Sequence, residues 1–240
     1  MTPKIFLASI GPVLICGCTT VLPPPAPLDK ERSVIGISVN VRAPIRLFSS
    51  QAQRVYFVRI ESGDPIYQET LIPSNYTKGD YVYLLNAKPG RYAAVAASYE
   101  RVNAVPMFPL PLPPGISVTV GAPTVFKSTT YFSEELIHKI SVEVKPSTVA
   151  FMGEFIIDSS VGVEGADQAQ AHYYRLLEPS AESRNAFLTL MSGEQSYRGA
   201  NYQSDHSDAA QQKFLDYTRE AIAEAGWMSV LQNPVRTDKP

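Results

Sequence analysis

Cysteine is almost missing from this chain. Of its 240 residues, Cys16 and Cys18 are the two cysteines, and none follows them. Histidine is scarce too. His138, His172 and His206 never fall at zinc-ligand spacing, and His-Glu-x-x-His does not occur, so the sequence announces no metal site. Gly-x-Ser-x-Gly, Ser-x-x-Lys and the phosphate-binding loop are missing as well. No catalytic residue is assigned from motifs, and no cofactor is expected. Lys and Arg total 21 against 23 Asp and Glu, with no basic block. A nucleic-acid partner needs a cationic stripe to meet phosphates, so none is expected.

What is present begins at the N-terminus. Lys4 precedes an apolar run, Ile5 to Ile15, broken by Ser9, Gly11 and Pro12. That run is well short of the ~20 residues a spanning helix needs, and Pro12 removes a helix donor. Residues 1–17 therefore read as a signal peptide that is cut off. The next residues, Ile15-Cys16-Gly17-Cys18, resemble the lipobox of bacterial lipoproteins. With Cys18 as the modified residue, Ile15, Cys16 and Gly17 supply the branched aliphatic, the small residue and the Gly or Ala of that pattern. With Cys16, the bulky Ile15 would stand at the cleavage position, so Cys18 fits better. The rival reading is an ordinary secretory signal whose cysteines later pair.

The resemblance implies a diacylglycerol thioether on Cys18 and a further acyl chain, of the palmitate class, on its amino group. Each buried methylene contributes ~0.8 kcal/mol, which makes three chains a lasting membrane anchor. The expected location is the cell envelope, and the absence of Asp at Thr19 implies the outer membrane, facing the periplasm, for a Gram-negative source. With Cys16 removed and Cys18 consumed, the mature chain offers no cysteine nucleophile, zinc–cysteine site, iron–sulfur cluster or disulfide.

Residues 18–32 hold Pro23, Pro24, Pro25 and Pro27 and read as a lipidated, proline-rich tether. Fully extended at ~3.1 Å per residue it would lift a domain about 30–40 Å off the lipid. Residues 33–160 read as one mainly β domain. Ile35, Ile37, Val39 and Val41 alternate with Gly36, Ser38 and Asn40, and further short strands are expected at 54–60, 66–72, 81–85, 91–99, 116–120, 124–132, 137–144 and 148–157. Pro89-Gly90 supplies a turn, and the prolines of 105–114 exclude a central strand. The 20 prolines and 18% charged residues favour a turn-rich β protein over helical bundles, and eight or nine short strands with turns between them have the spacing of an antiparallel β-sandwich. Residues 161–240 read as an extension packed on the sandwich. Within it 181–191 could form a short helix, 197–207 is polar enough for a loop, and 208–225 forms an amphipathic helix capped by Asp208, with Phe214, Thr218, Ile222 and Ala225 on one side.

Three fragments resemble uncharacterised bacterial envelope lipoproteins with an Ig-like or prealbumin-like sandwich. They are Gln53-Arg-Val-Tyr-Phe-Val-Arg59, Ala87-Lys-Pro-Gly-Arg-Tyr92, and Ile140-Ser-Val-Glu-Val-Lys-Pro146 with Val149-Ala-Phe-Met-Gly153. The resemblance covers roughly residues 50 to 160. Trp227 stands where those proteins carry a Trp on a C-terminal helix, whereas Ser147 replaces a usual Gly. The resemblance implies fold and envelope location, and brings no catalytic residues.

Tyr81 and Tyr83 share one strand face, opposite Val82 and Leu84. They form a candidate ligand-binding stripe for a sugar or peptide, although such tyrosines more often cover half-buried sheet. His138 beside Glu134 and Glu135, and the run Asp205-His206-Ser207-Asp208, are weighed as polar sites against strand-end exposure and helix capping. Glu61 with Asp64 is weighed as a carboxylate pair against solvated turn charges. The expected function is a membrane-anchored, non-enzymatic interaction or structural module with an envelope protein partner. A ligand-binding lipoprotein and an envelope hydrolase are its rivals.

Overall fold

The computed structural model describes residues 23–42, 49–61, 68–103, 108–109, 119–120, 124–162, 164–179 and 194–231. Cys16, Cys18, most of the proline-rich 105–114 segment, Asp64 and the 181–191 stretch lie outside these.

The protein is mainly β. Strands β1 (Ser33–Arg42), β2 (Ser49–Gln51), β3 (Arg54–Ile60), β4 (Leu71–Pro73), β5 (Tyr76–Lys78), β6 (Tyr81–Ala87) and β7 (Gly90–Asn103) come first. After a small ladder of β8 (Phe108–Pro109) and β9 (Thr119–Val120) come β10 (Thr124–Phe132), helix α1 (Glu134–Lys139), β11 (Ser141–Val144) and β12 (Val149–Val161). Helix α2 (Gln168–Leu177), β13 (Glu194–Asp205) and helix α3 (Asp208–Ile222) complete it.

Apart from the β8–β9 ladder, these strands form one sheet in the order β4-β3-β7-β10-β13-β12-β1-β6-β5, with β11 beside β7 and β2 beside β1. The order places β4 and β5 at opposite ends, yet only Ser74 and Asn75 separate them in the chain. The sheet therefore curls until its ends are tied by those two residues. Asn75 does the tying: its side chain donates to the Leu85 carbonyl at 2.9 Å and accepts from Leu85 N at 2.8 Å. Both end strands are three residues long, which leaves little open edge for another chain to extend.

The expected antiparallel sandwich is not what these pairings make. β1 runs parallel to β12, from Val34 opposite Val149 to Arg42 opposite Asp158, and β10 runs parallel to β13. Parallel partners need a crossover, and here more than a hundred residues separate β1 from β12. The chain returns to its starting pole at Thr148, whose carbonyl accepts from Val34 N at 2.9 Å, while Ser33 Oγ donates to the Lys145 carbonyl at 2.6 Å. Such contacts arise from assembly and leave no local pattern.

Period-two patterning sorts side chains between two cores. Ile35, Ile37, Val39, Val41, Val82 and Leu84 point inside the curl, where Leu136 and Ile137 of α1 and Ala169 and Tyr173 of α2 join them. Val34, Tyr81, Tyr83, Leu85 and Phe151 point outward and are covered by Ala210, Phe214, Leu215 and Ile222 of α3, with Trp227 beyond it. Gly36 allows this second layer, because a Cβ there would collide with the Phe214 ring.

Three local expectations change. The 137–144 stretch opens as helix, because Ser133 accepts from Leu136 N and Glu134 and Glu135 occupy the first turn, where carboxylates suit the helix dipole. The polar 197–207 stretch is mostly strand β13 and sits between β10 and β12. Gly199 fits that crowded place, since a Cβ would come within 2.8 Å of both Ile157 and Thr130. A domain boundary at 160 thus cuts through one sheet. Helix α3 is capped by Ser207, one residue before Asp208, through Ala210 N at 3.2 Å.

Candidate functional site

The proline-rich segment before β1 does not stand free. From Pro25 onward it is laid against the domain as a strap. The indole Nε1 of Trp227 donates to the Pro25 carbonyl at 2.7 Å. Asn86, at the end of β6, holds both backbone polarities: its Nδ2 donates to the Ala26 carbonyl at 3.0 Å and its Oδ1 accepts from Leu28 N at 2.7 Å. Ser147 Oγ donates to the Lys30 carbonyl at 2.5 Å. These bonds correct the expectation of a long free spacer over 18–32, because its last eight residues belong to the folded body.

A cavity of about 350 Å³ opens beside this strap. Arg32 from the strap, Asn86 and Lys88 from the β6–β7 hairpin, Arg59 and Glu61 from β3 and its end, Glu69, and Tyr92 of β7 line it. Asn86 and Gly90 adopt the positive φ (67° and 141°) that this turn requires. Arg59 is fixed in the wall, with Nη2 donating to the Pro89 carbonyl at 2.9 Å and Nη1 lying 3.8 Å from Glu61. Arg32 Nε pairs with Asp29 at 2.7 Å, and that bond holds the Asp29 carboxyl below the usual carboxylate range. Tyr92 OH donates to the Lys88 carbonyl at 2.9 Å, and burial pushes its phenol up. Arg32, Arg59 and Lys88 share this lining with Glu61 and Glu69, so the opening presents charges of both signs.

The tyrosines singled out from sequence lie elsewhere. Tyr81 and Tyr83 do share a face, but α3 covers it: they are 2% and 0% exposed. Tyr81 OH donates to Glu154 Oε1 at 2.6 Å, and Lys213 of α3 reaches the same oxygen at 3.3 Å. Thr218 Oγ1 donates to Tyr83 OH at 3.3 Å. Phe214 stacks on Phe151 with centroids 4.6 Å apart. A sugar or peptide would have to displace a helix to stack there, so the stripe is corrected to a packing surface.

His138 falls in the last turn of α1 instead of at a strand start. The Asp205–Asp208 run is a capping array in which Asp205 accepts from Ser207 N at 2.8 Å and Ser207 caps α3. His206 lies over Gly153, edge-on to Phe155 at 5.2 Å. Glu61, of the weighed carboxylate pair, is three-quarters exposed and faces Arg59. Among the described residues no cluster of three His, Cys, Asp or Glu could hold a metal, and no helix is long and apolar enough to cross a membrane. The strap contacts and the cavity escaped sequence reading because their key partners are backbone carbonyls, which carry no residue signature.

Compared with known proteins, the chain matches no family model, no curated protein and no solved structure.

Proposed function

We propose that this is a bacterial envelope lipoprotein, anchored through lipid on Cys18, whose curled β domain works as a non-enzymatic interaction or structural module at the membrane. The observation that carries the reading is the apolar leader closing on Ile15-Cys16-Gly17-Cys18. The strap supports it, since it fastens Pro25, seven residues after Cys18, to the folded body. The mainly β body with a Trp after its C-terminal helix agrees with the resemblance to Ig-like or prealbumin-like lipoproteins, and its mixed pairings depart from a plain sandwich. Outer-membrane placement belongs to the same proposal for a Gram-negative source.

Radiolabelled palmitate tests the anchor. Label should enter the wild-type chain and be lost in Cys18→Ala; equal labelling of both refutes the assignment. In-cell crosslinking from the soluble domain tests the module, which requires at least one specific envelope protein to be captured.

The cavity carries a second reading, a ligand-binding lipoprotein in which a small carboxylate-bearing molecule displaces the exposed Glu61 from Arg59 and meets Lys88 beside it. Short peptides with free and amidated C-termini separate the cases: the free form should raise the melting temperature, and Arg59→Met should abolish the rise. The hydrolase reading ranks behind both, because neither His138, in the last turn of α1, nor His206, over Gly153, lines the cavity.

A further inference from the structure

Among the described residues three large apolar side chains are exposed: Leu28 at 74%, Val161 at 73% and Met228 at 46%. Two of them lie on segments that one hydrogen bond joins. Leu28 lies in the strap, three residues beyond the Pro25 carbonyl, and Met228 follows Trp227, whose indole bonds that carbonyl. Val161 lies at the opposite pole. β12 starts beside the first residues of β1 and runs parallel to it, so Val161 ends roughly 40 Å further along at ~3.3 Å per residue.

The length of chain outside the structure sets the distance to lipid. Five residue steps separate Cys18 from Pro23, the first described residue, and at ~3.5 Å each they reach about 18 Å at most. The domain thus stays within reach of the headgroups by its strap pole. Side chains there are within range of the interface, and exposed Leu and Met lower their free energy by entering it.

We infer that the Leu28–Met228 pole is a membrane-seating surface, and that the bilayer covers it in the anchored protein. This deepens the lipoprotein reading and rests on it. The domain then stands with Trp227 toward lipid and Val161 away from it. Any envelope partner is met on the far pole or the flanks.

The test uses the lipidated full-length mature chain in vesicles carrying nitroxide-labelled lipid headgroups. With Cys18 blocked by lipid, a single introduced thiol takes an environment-sensitive fluorophore in Leu28→Cys, Met228→Cys or Val161→Cys. The first two should show blue-shifted emission and strong nitroxide quenching, while the third reports water. Vesicle association with all three labels in water overturns the seating surface alone. Failure of the wild-type chain to associate with vesicles overturns the anchor and the surface together. Leu28→Ser with Met228→Ser, which should fold because both side chains are exposed, should stay anchored yet lose the orientation when a label at a neighbouring strap position, Lys30→Cys, is read. Unchanged quenching at that label counts against the surface.

Discussion

The indole nitrogen of Trp227 and the carbonyl of Pro25 meet at 2.7 Å although 202 positions separate them in the chain. Trp227 is fully buried, so one ring both fills the outer core and fastens the N-terminal strap. The two roles separate by mutation. Trp227→Phe keeps most of the bulk and should cost about 1 kcal/mol, a typical net hydrogen bond. Trp227→Ala should cost ~3–5 kcal/mol through the cavity it leaves. Urea midpoints check this, and equal losses in the two variants would contradict it.

Asn86 is the second fastener. Its positive φ tolerates glycine, so Asn86→Gly removes the bonds to Ala26 and Leu28 without adding backbone strain. The expected result is faster amide exchange at Leu28 and faster proteolysis within 23–32. Exchange in β1 should be unchanged. Protection at Leu28 equal to wild type would show that the strap is held by something else.

Gly36 and Phe214 form a matched pair. Gly36→Ala places a methyl where the ring already lies, and overpacking of this kind costs ~1–3 kcal/mol. Phe214→Leu makes room, so the double variant should lose less than the sum of the singles. Strict additivity in thermal denaturation would argue that α3 does not lie over β1.

Buried phenols give the fold an alkaline limit. Burial pushes Tyr81, Tyr83 and Tyr131 well above their ordinary 10.0, with Glu154 and Glu178 adding to the shifts of Tyr81 and Tyr131 through their charges and hydrogen bonds. The neutral form is favoured in the folded state, and unfolded tyrosines ionise near pH 10. The stability these groups contribute is therefore fully present below pH ~10 and falls as pH rises beyond it. Urea midpoints should drop above that pH, and the slow fraction of phenolate absorbance should appear together with unfolding. Complete tyrosine ionisation in a still-folded protein would contradict the burial.

Much of the β architecture was legible because its signals are local. Ile35 to Val41 alternates cleanly, Pro89-Gly90 dictates a turn, and Phe214, Thr218 and Ile222 recur at helical spacing. What escaped depends on distant partners. β13 is polar along its length and is a central strand only because β10 and β12 flank it. Ser133-Glu134-Glu135 held a capping signal for α1 that the β-like residues on both sides obscured, and Asp167 with Gln170 held a capping box for α2 in a stretch too polar to show a clear apolar face. The tyrosine stripe was placed on the right face, whereas its covering helix lies about 130 residues further along. Parallel pairing has no signature that alternation alone reveals.

Lipid on Cys18 is what holds the protein at a membrane, and the mass of the N-terminal peptide of the mature protein, purified from membranes, reads it. The prediction is a peptide beginning at Cys18 and carrying a diacylglycerol thioether plus one amide-linked acyl chain. A peptide that begins elsewhere, or at Cys18 with a free thiol and a free amino group, would contradict it.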